Sequence, residues 1–334
     1  MSEDSWNNWE SGFQLPTSWP SGKADLIVDR KLLKKIGHEM YADLKLASKA
    51  EDDEWRELEW HVLGLHSSPT WRTMAHFDEA VFDIARTSRY RYAEAHGDYA
   101  SIASMIVASS VDYDRTEGII EANRPRLEKA INGVRHEVWK TLRPETEPAD
   151  VSTYDAPTIK GFFDNLDLGQ MARRGELFHN VAAELTTLQE VCQQRAYDLS
   201  SSWHSPATEH ALEAMRKLCA TIRTLAYTTG ATGSAVTTLY EELKDYKENF
   251  EGIVNLDKTV AESFSDWFFD MDEDDRARNL LLDANVRVVT AHTLLPSEIE
   301  TVLPNVVEID VDLDRIENGD ESFWEHWEWS MQRR

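Results

Sequence analysis

Carboxylates are the residues of this chain best equipped for chemistry, and they are densest in Asp270-Met271-Asp272-Glu273-Asp274-Asp275. Clustered carboxylates are hard oxygen ligands, so the run could hold Mg²⁺ and, through it, a diphosphate. The competing reading is electrostatic. Acidic residues followed by Arg276 suit a solvated helix start, where the macrodipole favours negative charge. Other reactive candidates are sparse. The two cysteines, Cys192 and Cys219, are 27 positions apart, 11 before and 16 after Trp203. If the chain folds back at Trp203, the thiols come near one level, and a disulfide is geometrically open to them. The plainer expectation is two buried thiols acting as small hydrophobes. His204 and His210 are six apart and cannot share a helical face, which argues against zinc. The 14 glycines form no phosphate-cradling loop, and there is no His-Glu-x-x-His, Cys-x-x-Cys or Gly-x-Ser-x-Gly. No catalytic set emerges, and neither a cofactor nor an enzyme is expected.

The elements that would position these residues are long helices. Leu177, Val181, Leu185, Leu188, Val191, Ala196 and Leu199 recur at helical spacing, and after Trp203-His204-Ser205-Pro206 the stripe restarts at Ala211, Met215, Leu218, Ile222 and Leu225, running to Phe250. Ser205 suits an N-cap and Pro206 the first helical position. Each helix has one apolar stripe, so the two are expected to pair as an antiparallel hairpin. The first third repeats the plan. A stripe through Leu33, Ile36, Met40, Leu44, Trp55 and Leu58 breaks at His66–Thr70, and another follows Trp71 through Phe77, Val81, Ile84, Tyr92, Tyr99, Ile102 and Ile106. The predicted fold is mainly α, an elongated bundle of two helical hairpins with a small mixed C-terminal region.

Helix, tryptophan turn, helix resembles the WxG superfamily, the small helical hairpins exported by type VII (ESX) secretion systems, including fused PE/PPE-like substrates. Trp203-His204-Ser205 stands where the family has Trp-x-Gly; Ser205 replaces the glycine. The family also carries Tyr-x-x-x-Asp/Glu after the second helix of a hairpin. Two matches occur, Tyr90/Glu94 and Tyr113/Glu117, about the number chance alone would give, so position is the discriminator. Tyr113 falls at the predicted end of hairpin one, near a capping Gly118, whereas Tyr90 is mid-helix. The resemblance covers about residues 25–255. It implies a non-enzymatic secretion substrate or secretion-associated protein in which Tyr113, Glu117, Trp203 and Ser205 form a composite surface for the secretion ATPase. It further implies a chain that is cytoplasmic before export and secreted without a cleaved signal peptide. Two rivals come from other classes: a helical metal-dependent diphosphate enzyme using 272–275, and a cytoplasmic acidic adaptor or immunity-type protein.

Charge narrows the partners. With 35 Lys+Arg against 61 Asp+Glu, the formal net charge is −26. That field repels phosphate backbones and anionic membranes and attracts basic partners. No apolar run approaches the ~18 residues needed to span a bilayer, and no signal peptide is visible at the N-terminus. Homo-oligomerisation stays open. Five segments are expected: a Trp-rich tail at 1–24, hairpin one at 25–120, a connecting helix and Pro-rich linker at 121–164, hairpin two at 165–254, and an acidic, aromatic region at 255–334. Within these, 121–142 reads as a helix, 276–292 as a helix, and the alternation 306–313 as the best strand. Trp6, Trp9 and Trp19, with Trp324, Trp327 and Trp329, are expected to fold back onto the body or to form a partner patch.

Overall fold

The computed structural model describes residues 29–62, 70–115, 131–142, 151–203, 206–254 and 272–306. Among them lie six helices and one two-stranded sheet: α1 (Arg30–Val62), α2 (Arg72–Arg115), β1 (Ile131–Lys140), α3 (Ala156–Asp164), α4 (Leu168–Ser202), α5 (Pro206–Val254), α6 (Glu273–Leu294) and β2 (Glu298–Val306). The mainly α expectation is met. The 49 residues of α5 extend roughly 73 Å at the helical rise. Both tryptophan-rich tails lie outside the described residues.

Aspartates start four of the helices. Asp29, Asp155, Asp167 and Asp272 each accept a hydrogen bond from the backbone N–H three residues on, satisfying a donor that the first turn leaves orphaned. Helices α1 and α2 form one hairpin, α4 and α5 the other. Contacts of α1 with α4 and of α2 with α5 close the four into a ring. Antiparallel packing of α1 and α4 shows in their ion pairs: Arg195 binds Glu39 and Asp43, while Arg173, one helical stretch earlier, binds Glu57 further along α1.

Apart from half-buried Val191, the stripes read from sequence line one continuous core. Two glycines let backbones approach within it. A Cβ on Gly37 of α1 would lie 2.5 Å from Val107 Cγ2 of α2, and one on Gly175 of α4 would lie 2.5 Å from Thr237 Oγ1 of α5. Residues 101–110 of α2 are buried on every face. Three of their four serines are satisfied by bonding back to the helix: Ser101, Ser104 and Ser110 donate to the Gly97, Ala100 and Val107 carbonyls. Arg174 and Asp78 form a buried ion pair at 2.8 Å, joining α4 to α2.

Two expectations need correction between and after the hairpins. Residues 131–140 form a strand, not the second half of a helix over 121–142; residues 121–130 lie outside the description. Val134, Val138 and Leu142, spaced by four, imitate a helical stripe, but even spacing also sets residues on one face of a strand. They are exposed (49, 46 and 39%), so they line no core, and pairing with β2 decides the conformation. The expected linker also contains helix α3, capped by Asp155 with Pro157 in its first turn. At the C-terminal side, β2 ends where the predicted strand was to begin. It covers 298–306, and residues 307–313 lie outside the description.

The antiparallel register runs from Ile131↔Val306 to Lys140↔Glu298, with an irregularity between Ile131 and Val134, beside Pro304. Proline has no ladder N–H to give, and such a break accommodates it. The other edge of β2 is met by α5. Thr221 Oγ1 donates to the Val302 carbonyl at 2.8 Å and accepts from the Val302 N–H at 3.0 Å. Helix α6 lies along α2 and α5. Arg276 of α6 donates to the Val254 carbonyl at the end of α5, and Tyr246 donates to Asp283.

Candidate functional site

The turn between α4 and α5 is set by Trp203. Its backbone leaves the helix in extended conformation, while its N–H still donates to the Leu199 carbonyl at 3.0 Å. The indole is fully buried, at 0% exposure. Burial of an indole is a large apolar anchor, and here it fixes the angle at which α5 departs. One residue earlier, the Ser202 carbonyl accepts from the Asp29 N–H at 3.0 Å, tying the turn to the start of α1.

That bond defines one end of the bundle. Helix α2 runs antiparallel to α1 with Gly37 against Ala103 and Val107, so the last turn of α2 reaches the level of Asp29. Tyr113 lies in that last turn. The backbone therefore brings the helix end carrying Tyr113 and the Trp203 turn to the same end of the molecule. Glu117 and Ser205 lie outside the described residues. Trp203 offers no surface of its own; whatever binds this end meets the residues around it.

The second tyrosine match is built into the fold. Tyr90 is 60% exposed, but Glu94 accepts from Arg91 at 2.8 Å and from Arg135 of β1 at 3.3 Å. Arg91 also binds Glu137, and Arg135 binds Asp98. These side chains clamp β1 against the middle of α2. Hydrogen bonds to the two carboxylates hold the Arg91 guanidinium above its ordinary pKa despite partial burial. Sequence reading missed this network, although Arg135 and Glu137, two apart, share one side of a strand.

Asp272, Asp274 and Asp275 have structural partners. Asp272 caps α6 by accepting from the Asp275 N–H at 2.8 Å, and Asp274 accepts from the Ala156 N–H at the start of α3, also at 2.8 Å. Arg278 pairs with Asp275 at 2.8 Å, reaches Asp274 at 3.8 Å and donates to the Tyr154 carbonyl. The acidic run thus joins α6 to α3. Among the described residues, no group of three or more His, Cys, Asp or Glu side chains is placed to hold a metal ion. No described helix is long and apolar enough to cross a membrane.

The opposite end has its own tryptophan. Trp71, next to α2, donates its indole N–H to Asn285 of α6 at 2.7 Å and packs edge-on to Phe163 of α3 at 5.3 Å. Beyond it His76 stacks on His292 of α6, ring centroids 5.4 Å apart, with Phe77 edge-on to the same ring. Burial, with a smaller contribution from the neighbouring His76, lowers the His292 pKa from its ordinary value to about 4. Asn285 carried no sequence signal, because a lone polar residue in an amphipathic helix does not reveal which neighbour it will meet. No protein-family model and no curated protein matches this chain.

Proposed function

We propose that this chain is a non-enzymatic substrate or component of a type VII secretion system, recognised by the secretion ATPase at the end of the bundle carrying Tyr113, Glu117 and the Trp203–Ser205 turn. The observation that carries the reading is the bond from the Asp29 N–H to the Ser202 carbonyl. It holds the tryptophan turn of hairpin two at the end where α2 of hairpin one finishes. Two helical hairpins closed into one bundle support the same reading. With Trp203 buried as an anchor, the contacts fall to Tyr113, Glu117 and Ser205, and Trp203 acts by holding the turn. The chain is made in the cytoplasm and exported folded.

Export tests this. In a host with a type VII system, wild-type chain accumulates in the culture filtrate, and Tyr113→Ala is retained in cells at unchanged melting temperature. Equal export of both sinks the composite surface. Retention of both favours the second reading, an acidic adaptor that stays inside and binds a basic partner, which the net charge of −26 supports.

A further inference from the structure

Hairpin two contains a pair of thiols whose setting goes beyond packing. Cys192 of α4 and Cys219 of α5 are both buried, and their Sγ atoms are 2.9 Å apart. The placement follows from the hairpin register. Gly175 opposes Thr237, Ala182 opposes Gly230, and the two cysteines oppose each other closer to the Trp203 turn. The small residues at the first two levels bring the helix axes close, and the thiols inherit that spacing. Separation this short, across two helices held by the same register, is the approach a disulfide needs. In the reduced chain the contact is a thiol–thiol hydrogen bond, with Cys192 Sγ also 4.0 Å from the Met215 carbonyl.

We propose that Cys192 and Cys219 are a redox latch, free dithiol under reducing conditions and an intramolecular disulfide under oxidising ones, which fixes α4 to α5 beside the Trp203 turn. The oxidant is a low-molecular-weight disulfide. One cysteine thiolate attacks it, forming a mixed disulfide and releasing one small thiolate. The second cysteine thiolate then attacks the protein sulfur of that mixed disulfide, forming the Sγ–Sγ bond and expelling the second small thiolate. Two protons pass from the cysteines to the released thiolates, and two electrons reduce the oxidant. Hydrogen bonding to Cys219, together with burial, pushes the Cys192 thiol well above its ordinary pKa. Burial also raises the pKa of neighbouring Tyr99, so it stays a neutral phenol and brings no positive charge that would favour a thiolate. Exchange therefore proceeds when the hairpin opens or as it folds, not through the closed core. This inference does not depend on the secretion reading.

The test uses the full chain, refolded from denaturant and, separately, incubated folded, with oxidised and reduced glutathione at an oxidising ratio. After denaturation and alkylation, intact mass is measured. The expected product is about 2 Da lighter than the reduced chain and unalkylated, and its tryptic digest links peptide 175–195 to peptide 218–223. It melts about 5–10 °C higher than the reduced chain, and dithiothreitol reverses the shift. Cys192→Ala is expected to give a singly alkylated or glutathionylated chain with no such shift. Two alkylatable thiols after oxidative refolding would overturn the proposal, as would glutathione adducts without the cross-link. So would a cross-linked chain that melts no higher than the reduced one. The wild-type mass and melting readouts decide the matter even if the alanine variant fails to fold.

Discussion

Trp71 and Trp203 each stand at the turn of a long helical hairpin, and both are buried, yet the two ends they anchor are built differently. At the Trp71 end the indole N–H is bonded to Asn285 of α6 and its ring packs on Phe163 of α3, while His292 of α6 meets Phe77 further along α2. Helices α3 and α6 are spent there, while the sheet lies along α2 and α5 between the ends. At the Trp203 end the described contacts are the bundle's own: the turn closes on Leu199, and Asp29 bonds to Ser202. Among the described residues, one end is buttressed by α3 and α6, while the other is held by the hairpins themselves. That end is also where the last turn of α2 carries Tyr113.

The comparison can be broken at several strengths. Trp203→Ala removes a fully buried indole from a junction with few elements to collapse onto it. It should cost about 3–5 kcal/mol in chemical denaturation; a loss under 1 kcal/mol would show that the turn does not anchor the hairpin. Acidification should act at the opposite end. His292 is neutral when folded, with its pKa lowered to about 4, and ordinary when unfolded, near 6.5. The unfolded chain then binds more protons between those values. Stability contributed by the buried neutral ring is full above about pH 6.5, falls as pH drops, and is gone below about pH 4, a change of up to about 3 kcal/mol. His292→Leu should flatten that dependence, and an unchanged pH profile would contradict the assignment. Smallest is Trp71→Phe, which keeps most of the apolar area but leaves Asn285 without the indole donor. The expected loss is about 1–2 kcal/mol.

Long elements were legible because their cause is periodic. The stripes at Leu33–Leu58, Phe77–Ile106, Leu177–Leu199 and Ala211–Phe250 repeat over many turns, and burial in the bundle follows them. The strand over 131–140 was not legible, because Val134, Val138 and Leu142 fit either period and its partner lies more than 150 residues away. Short helix α3 was lost for a related reason: nine residues give no stripe, and Pro157 reads as a breaker until Asp155 is seen to cap. Of the proposed surface, the sequence yielded the tryptophan turn and the helix ending near Tyr113. That Trp203 would be sealed, and Glu94 consumed by Arg91 and Arg135, depended on tertiary contacts no local pattern encodes.

The most direct measurement is binding of the purified chain to the substrate-recognition domain of a type VII secretion ATPase, by titration calorimetry. The account predicts saturable binding that Tyr113→Ala weakens at least tenfold, while Tyr90→Ala, in the match whose glutamate is already spent on β1, leaves it unchanged. Equal effects of the two substitutions, or no binding by wild-type chain, would contradict it.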